Sequence, residues 1–425
     1  MKILGIHADC CHIGGHTRQF LSTMDIFKSL GYDIHIVART RKESKARVDL
    51  SLIDPTKGKP LLTPVDVTAK MDLSHHSIRD LRKYQPVRYL LPSDISEHDI
   101  PVVYWGDRFL TPWAPEVVEM IKDADYVFCD TEMYIRLESD LDIAHKHIQY
   151  VHFPTENILP VYGKEPRHIW TNSSFTQSWI RIRWGYSNPN YTKNDDKYVT
   201  VQIPKQIFEA QIVNPSIYLD DYKNECGFSD RQYDVVMFAR LGEDKFTVAG
   251  FLDEHFKLLS MGAQSPMKQV MPEPKDKRVK QVLLNQPQTT RDKKPFTPRG
   301  EVHKNLTLSQ IKQFLSMSKV YVHSKGFGLL ESGGVSEPEH FGISIIEAMA
   351  AGCPVIVPRT GGCWTDISLF GKYTLAYSSL EELKANVERL ARNRNEWQKW
   401  HNLALEGVKR FDAENAKQRI KELLG

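Results

Sequence analysis

Two glutamates stand eight residues apart in EHFGISIIE, at Glu339 and Glu347. Around the second, Ile343, Ile345, Ile346, Ala348, Met349, Ala350 and Ala351 cover every face of a helix, and Glu347 is the only charge among them. Carboxylates are almost never fully buried without a partner, and burying one unpaired is expensive. Glu347 therefore needs something to bind. The helix is predicted to start near Gly342, where glycine lets a ligand approach the backbone and free N–H groups attract an anion. At about 1.5 Å per residue, Glu347 lies several ångströms along the axis from those groups, while Glu339 lies in the loop on their other side. A carboxylate accepts hydrogen bonds and takes vicinal hydroxyl donors well. The order of groups thus matches sugar hydroxyls at Glu339, a diphosphate at His340, Phe341, Gly342 and Ile343, and ribose hydroxyls at Glu347. A core helix with one partly exposed Glu is the structural alternative. Glu331 also precedes Glu339 by eight residues, in GFGLLESGG, but no long helix and strand follow that frame, and Glu337 fits neither.

A departing diphosphate needs positive charge where its own charge develops. Arg240 and Lys245, in FARLGEDKF, offer a planar fork and a point charge. They follow a predicted strand, and strand ends face ligands in α/β sheets. Surface cations in a loop are the structural alternative. These two charges can do a metal's work, so no metal and no cofactor are expected. Asp123 and Asp125 read as turn residues before a strand. Gly14 and Gly15 would let the first loop approach a diphosphate or an acceptor, or would simply turn the chain. His152, in YVHFP, ends a strand where Pro154 stops further pairing, at a cleft edge; a hydrogen-bonded structural histidine fits as well. Asp107, in YWGDRF, also follows a strand and is an acceptor-side candidate.

The elements that must position these groups repeat one pattern. KILGIHA, the helix RQFLSTMDIFKSL ended by Gly31, and DIHIVA form a β-α-β opening, which predicts a parallel sheet covered by helices. Further strands are predicted at 100–105, 125–130, 147–153 and 168–173, with helices at 114–124 and 174–185. Residues 212–232 carry turn residues without apolar period, as a linker does. YDVVMFARL then restarts the pattern, followed by strands at 281–285, 319–324, 353–358 and 373–377. The reading is an α/β protein of two Rossmann-like domains facing each other across a cleft: 1–215 for the acceptor, 216–408 for the nucleotide sugar, and a C-terminal helix over 409–425 packing back on the first domain. A chain of 425 residues is long enough for two cores. Its net charge of +3 argues against a nucleic-acid partner. Six cysteines without metal-ligand spacing read as free thiols. No apolar run is long enough to span a membrane, which points to the cytoplasm. The basic runs 39–47 and 79–88 leave peripheral membrane contact open.

EHFGISIIEAMAAGCPVIVPRTGG resembles the E-x7-E signature of family 4 retaining glycosyltransferases, which have the GT-B fold. GGHTR resembles the N-terminal Gly-Gly loop of that family, FARLGEDKF its Arg…Lys motif, and NPSIY its linker. The resemblance implies diphosphate binding by Arg240 and Lys245, and contact of His152 with the donor sugar or reacting centre. QYVHFPTENI, WTNSSFTQSWI and EHFGI further resemble the α-1,2-mannosyltransferases that extend a dolichol-linked oligosaccharide from GDP-mannose. The expectation is transfer of a hexose, mannose by this resemblance, from a GDP- or UDP-sugar to a hydroxyl of a glycan or polyprenyl-linked glycan. A nucleotide-sugar epimerase on the same fold and a non-catalytic nucleotide-sugar-binding module are the alternatives. The base, the acceptor and the oligomeric state are not fixed by the sequence.

Overall fold

The computed structural model describes residues 1–7, 15–39, 74–77, 101–105, 115–130, 143–153, 167–186, 208–223, 226–238, 243–262, 301–304, 308–327 and 338–425. Gly14, Asp107, Arg240, Glu331, Glu337, both basic runs apart from Arg39 and the strand expected at 281–285 lie outside these residues, as does the side chain of Lys245.

Short apolar stretches with turn residues at their ends pair into two sheets. The first contains β1 (Lys2–His7), β2 (Asp33–Arg39), β3 (Ser74–Ser77), β4 (Pro101–Trp105), β5 (Tyr126–Cys129), β6 (His147–Val151), β7 (His168–Thr171) and β8 (Gln211–Ile212). Their order across the sheet is β3-β4-β2-β1-β5-β6-β7-β8, parallel except for β3. The second contains β9 (Tyr233–Phe238), β10 (Leu258–Gly262), β11 (Glu301–Lys304), β12 (Ser318–Val322), β13 (Val355–Pro358) and β14 (Leu375–Tyr377). It is parallel throughout, in the order β11-β10-β9-β12-β13-β14. Each sheet therefore reverses its winding beside its first strand, at β1/β5 and at β9/β12. Such switch points open a crevice at the carboxyl ends of the strands.

The helices are α1 (Gly15–Ser29), α2 (Pro115–Asp123), α3 (Ser174–Tyr186), α4 (Glu243–His255), α5 (Leu308–Ser316), α6 (Ile343–Ala350), α7 (Leu380–Arg392), α8 (Arg394–Val408) and α9 (Ala413–Leu424). The α1 helix starts three residues earlier than its apolar spacing predicts, so Arg18 falls inside its first turn. Asp125 lies in the turn before β5, whereas Asp123 is the last residue of α2, correcting its reading as a turn residue; Asp123 takes the Lys2 ammonium, and Asp125 Oδ2 accepts the Lys2 N–H at 2.7 Å. Cys129, Cys226, Cys353 and Cys363 are free thiols.

The chain crosses between the sheets over residues 213–232 and returns at its end. Ile217 bridges to Asp412, and α9 lies against α1. Ile420 of α9 is buried in the first core together with Phe20, Phe27, Phe128 and Trp170. Arg419 Nη2 donates to Gln211 Oε1 at 2.7 Å beside β8. No helix among the described residues is long and apolar enough to cross a membrane.

Because Ile420 is a fully buried anchor, Ile420→Ala should destabilise the first domain by about 2–5 kcal/mol, read as an earlier denaturant midpoint.

Candidate active site

Helix α6 begins where the sequence places it, and Gly342 is the reason. Its φ of 105° is left-handed, and a Cβ there would stand 2.6 Å from Ile345 Cδ1. The loop ahead of it is held from behind by the glycines of PRTGG. A Cβ on Gly361 would lie 2.3 Å from Glu339 O, and one on Gly362 only 1.9 Å from His340 O. Gly362 N donates to Glu339 O at 2.8 Å. Backbone contact this close fixes where Glu339 points. Its carboxylate is partly exposed, with His323 Nε2 at 3.4 Å and Lys325 Nζ at 4.0 Å. Tyr321, on β12 at the switch point, has its Oη 3.1 Å from Phe238 O, to which it can donate, and 2.8 Å from Ser344 Oγ.

Glu347 has its partner, and that partner is protein. The residue is 1% exposed. Its Oε1 accepts from the Arg18 guanidinium of the first domain and from Tyr222 Oη at 2.6 Å, and Arg18 Nη2 also donates to Tyr222 Oη at 3.0 Å. Burial disfavours the Arg18 charge, but Glu347 and Tyr222 outweigh it and hold its proton more tightly than usual. Oε1 is therefore already engaged by protein groups, and a hydroxyl binding at that oxygen would have to displace Arg18 or Tyr222. The pair also brings two helix starts together. A Cβ on Gly15 would lie 3.6 Å from Ile343 Cδ1, so the first turns of α1 and α6 face each other across the domain boundary.

A second seam joins the domains. Asp366 of the second domain accepts the backbone N–H of Ser174 at 2.6 Å and of Phe175 at 3.3 Å, capping α3 of the first. Ser173 Oγ accepts from Thr176 N and donates to His340 O at 2.6 Å, while His340 Nδ1 lies 2.9 Å from Thr176 Oγ1. His340 is thus a buried interdomain contact, and Phe341 is core, edge-on to Phe411 at 5.2 Å. Both side chains are thus held by protein contacts. The backbone at Gly342 and Ile343 keeps the phosphate-binding role open.

His152 follows β6 and belongs to a group that sequence reasoning missed. His7 Nδ1 lies 2.8 Å from Asp130 Oδ1, and His16 Nε2 lies 2.9 Å from Asp130 Oδ2. His152 Nε2 is 3.7 Å from the same Oδ2, and its ring is 4.2 Å from that of His16. Burial raises the cost of the Asp130 charge, but His16 and His7 overcome it and hold the carboxyl well below the usual range. Burial, then the neighbouring His16, pushes His152 down to about 4 against the pull of Asp130. The available signal was position: His7 ends β1 and Asp130 follows β5, the two strands of the switch point.

Residues 297–406 match the family model of glycosyl transferases group 1, the span that contains Glu339 and Glu347. Solved structures align over the whole chain. HepE of Anabaena, in complex with UDP and glucose, is 16% identical, with 100% of this chain and 99% of that chain covered and a TM-score of 0.61. Sucrose-phosphate synthase of Thermosynechococcus elongatus is 13% identical over 100% and 98%, with a TM-score of 0.58. An alpha-glucosyltransferase in complex with UDP is 10% identical over 100% and 99%, with a TM-score of 0.55. The fold is GT-B. The glycosyl transferases group 1 match runs from just before β11 into α8 of the second domain. A search of curated proteins finds no match.

Removing one member of a buried charge pair strands the other. Glu347→Gln should therefore cost about 3–5 kcal/mol in denaturant unfolding, and the double variant Arg18→Met/Glu347→Met should regain much of it. His152 sets a pH dependence of opposite origin. The unfolded imidazole takes a proton near 6.5, but the folded one stays neutral until about 4. Stability should be full above about 6.5 and fall as pH drops towards 4. His152→Gln should flatten that slope in pH-dependent thermal melts.

Proposed function

We propose that the protein is a glycosyltransferase that moves a hexose from a nucleoside-diphosphate sugar to a hydroxyl of a glycan or polyprenyl-linked glycan, with retention at the anomeric carbon. The observation that carries this reading is the meeting of two helix starts, Gly15 of α1 and Gly342–Ile343 of α6, beside the partly exposed carboxylate of Glu339. Two helix N-termini aimed at one gap offer backbone N–H groups and positive dipole ends to a diphosphate. Glu339 then takes hydroxyls of the sugar attached to that diphosphate. His152, across the gap on the first domain, supplies a polar contact to the same sugar. Arg240 and Lys245, following β9, complete the countercharge.

In the reaction the C1–O bond to the diphosphate breaks and a bond from the acceptor oxygen to C1 forms on the same face. The acceptor's proton passes to an oxygen of the leaving diphosphate, so no residue of the chain is asked to act as nucleophile. Charge grows on the leaving group, where the helix starts and the two cations are strongest in effect. Glu347 acts at one remove, by holding Arg18 and so keeping the two helix starts opposed. Local motifs favour GDP-mannose as donor, whereas HepE and the alpha-glucosyltransferase were solved with UDP.

The test is turnover of GDP-mannose and UDP-glucose with a lipid-linked or free oligosaccharide, followed by mass spectrometry, with the anomeric configuration of the product read by NMR. Glu339→Gln should lower kcat by about a hundredfold or more, with smaller change in nucleotide affinity. Arg240→Ala should weaken nucleotide binding. Conversion of the nucleotide sugar without acceptor would assign an epimerase, and nucleotide binding without turnover would assign a binding module.

A further inference from the structure

Four side chains from four elements converge at the switch point of the first sheet: His7 at the end of β1, His16 in the first turn of α1, Asp130 after β5 and His152 after β6. Three imidazole nitrogens surround one carboxylate oxygen. Asp130 Oδ2 lies 2.9 Å from His7 Nδ1, 2.9 Å from His16 Nε2 and 3.7 Å from His152 Nε2. The ligating atoms of His7, His16 and Asp130 all lie within 4.8 Å of one another. His7 Nδ1 also reaches Asp130 Oδ1 at 2.8 Å, and His16 Nε2 also reaches the Asp130 backbone O at 2.9 Å. His152 Nε2 is buried with no hydrogen-bond partner. As an N–H it is a buried donor left unsatisfied; as a lone pair it faces an anionic oxygen. Both forms are costly, and a cation among the three nitrogens and the oxygen relieves either one.

We propose that His7, His16, His152 and Asp130 form a site for a divalent transition-metal ion of the zinc type. Imidazole and carboxylate donors are the ligands such ions take. Bond lengths of about 2.0–2.2 Å place neighbouring ligand atoms of a tetrahedron about 3.3–3.5 Å apart, and the observed separations of 2.9 and 3.7 Å bracket that value. The supporting shell is already rigid: the His7 ring stacks on Phe20 at 4.6 Å, and Asp130 is fixed at a strand end in the core. The ion would tie the first turn of α1 to β1, β5 and β6, holding the Gly15 end of the cleft. With Nε2 on the ion, His152 keeps Nδ1 for a contact in the cleft. The site lies in the first domain and does not replace the diphosphate countercharge proposed for Arg240 and Lys245. It rests on its own geometry and not on the transferase reading.

The test uses the full chain, stripped with a chelator and titrated with Zn²⁺ by calorimetry and with Co²⁺ by visible absorption. The expected result is about one bound ion per chain, an intense four-coordinate Co²⁺ spectrum and a higher melting temperature with Zn²⁺. His16→Gln and His152→Gln, each checked for folding by circular dichroism, should lower affinity at least about tenfold. Failure of the wild-type chain to bind a stoichiometric ion overturns the proposal whether or not the variants fold. Binding that is equal in wild type and in both folded variants places the ion elsewhere and overturns it too. Sugar transfer is not the readout, so either result is independent of the donor assay.

Discussion

A single charge that cannot be buried alone organises the relation between the two domains. Glu347 sits in a helix that is apolar on every side, and its carboxylate must find a donor or stay out of the core. The donor is Arg18, 329 positions away on the other domain, with Tyr222 of the connecting segment completing the group. Once Arg18 and Glu347 are paired, α1 and α6 have their first turns opposed. The cleft between two Rossmann-like units is thereby given a definite width at its deepest point. The seam through Asp366, Ser173 and His340 sets a second point of contact, and α9 a third.

The cleft is built by backbone as much as by side chains. Gly342 is left-handed, and Gly361 and Gly362 admit the carbonyls of Glu339 and His340 at distances no side chain would allow. These glycines free the N–H groups at the start of α6 and fix the direction of Glu339. Opposite them, the first sheet brings a buried carboxylate and three imidazoles to the ends of β1, β5 and β6. An acidic group on one side and a cluster of histidines on the other give the two domains distinct chemistry where they meet.

Much of the fold was legible in the residues. Short apolar runs separated by turn residues predicted the alternation of strand and helix, because a strand buried on both faces needs apolar side chains on both. The start of α6 at Gly342 was legible for a local reason, a glycine at the boundary of an apolar helical run. His340 and Phe341 also meet Ser173, Thr176 and Phe411, and none of those is near in sequence. His152 is singled out by its place beside Pro154, but its grouping with His7, His16 and Asp130 is not legible, because these residues are spread along the chain from His7 to His152.

The sequence by itself determined the α/β class, the two-part organisation, the helix boundary at Gly342 and the demand that Glu347 be paired. These depend on local periodicity, on backbone conformation and on the cost of burying charge, all of which act over a few residues. Only the tertiary structure decided which group meets that demand. Side-chain partners across domains depend on how two sheets are placed against each other, and no spacing along the chain encodes the approach of Arg18 to Glu347 or of three imidazoles to Asp130.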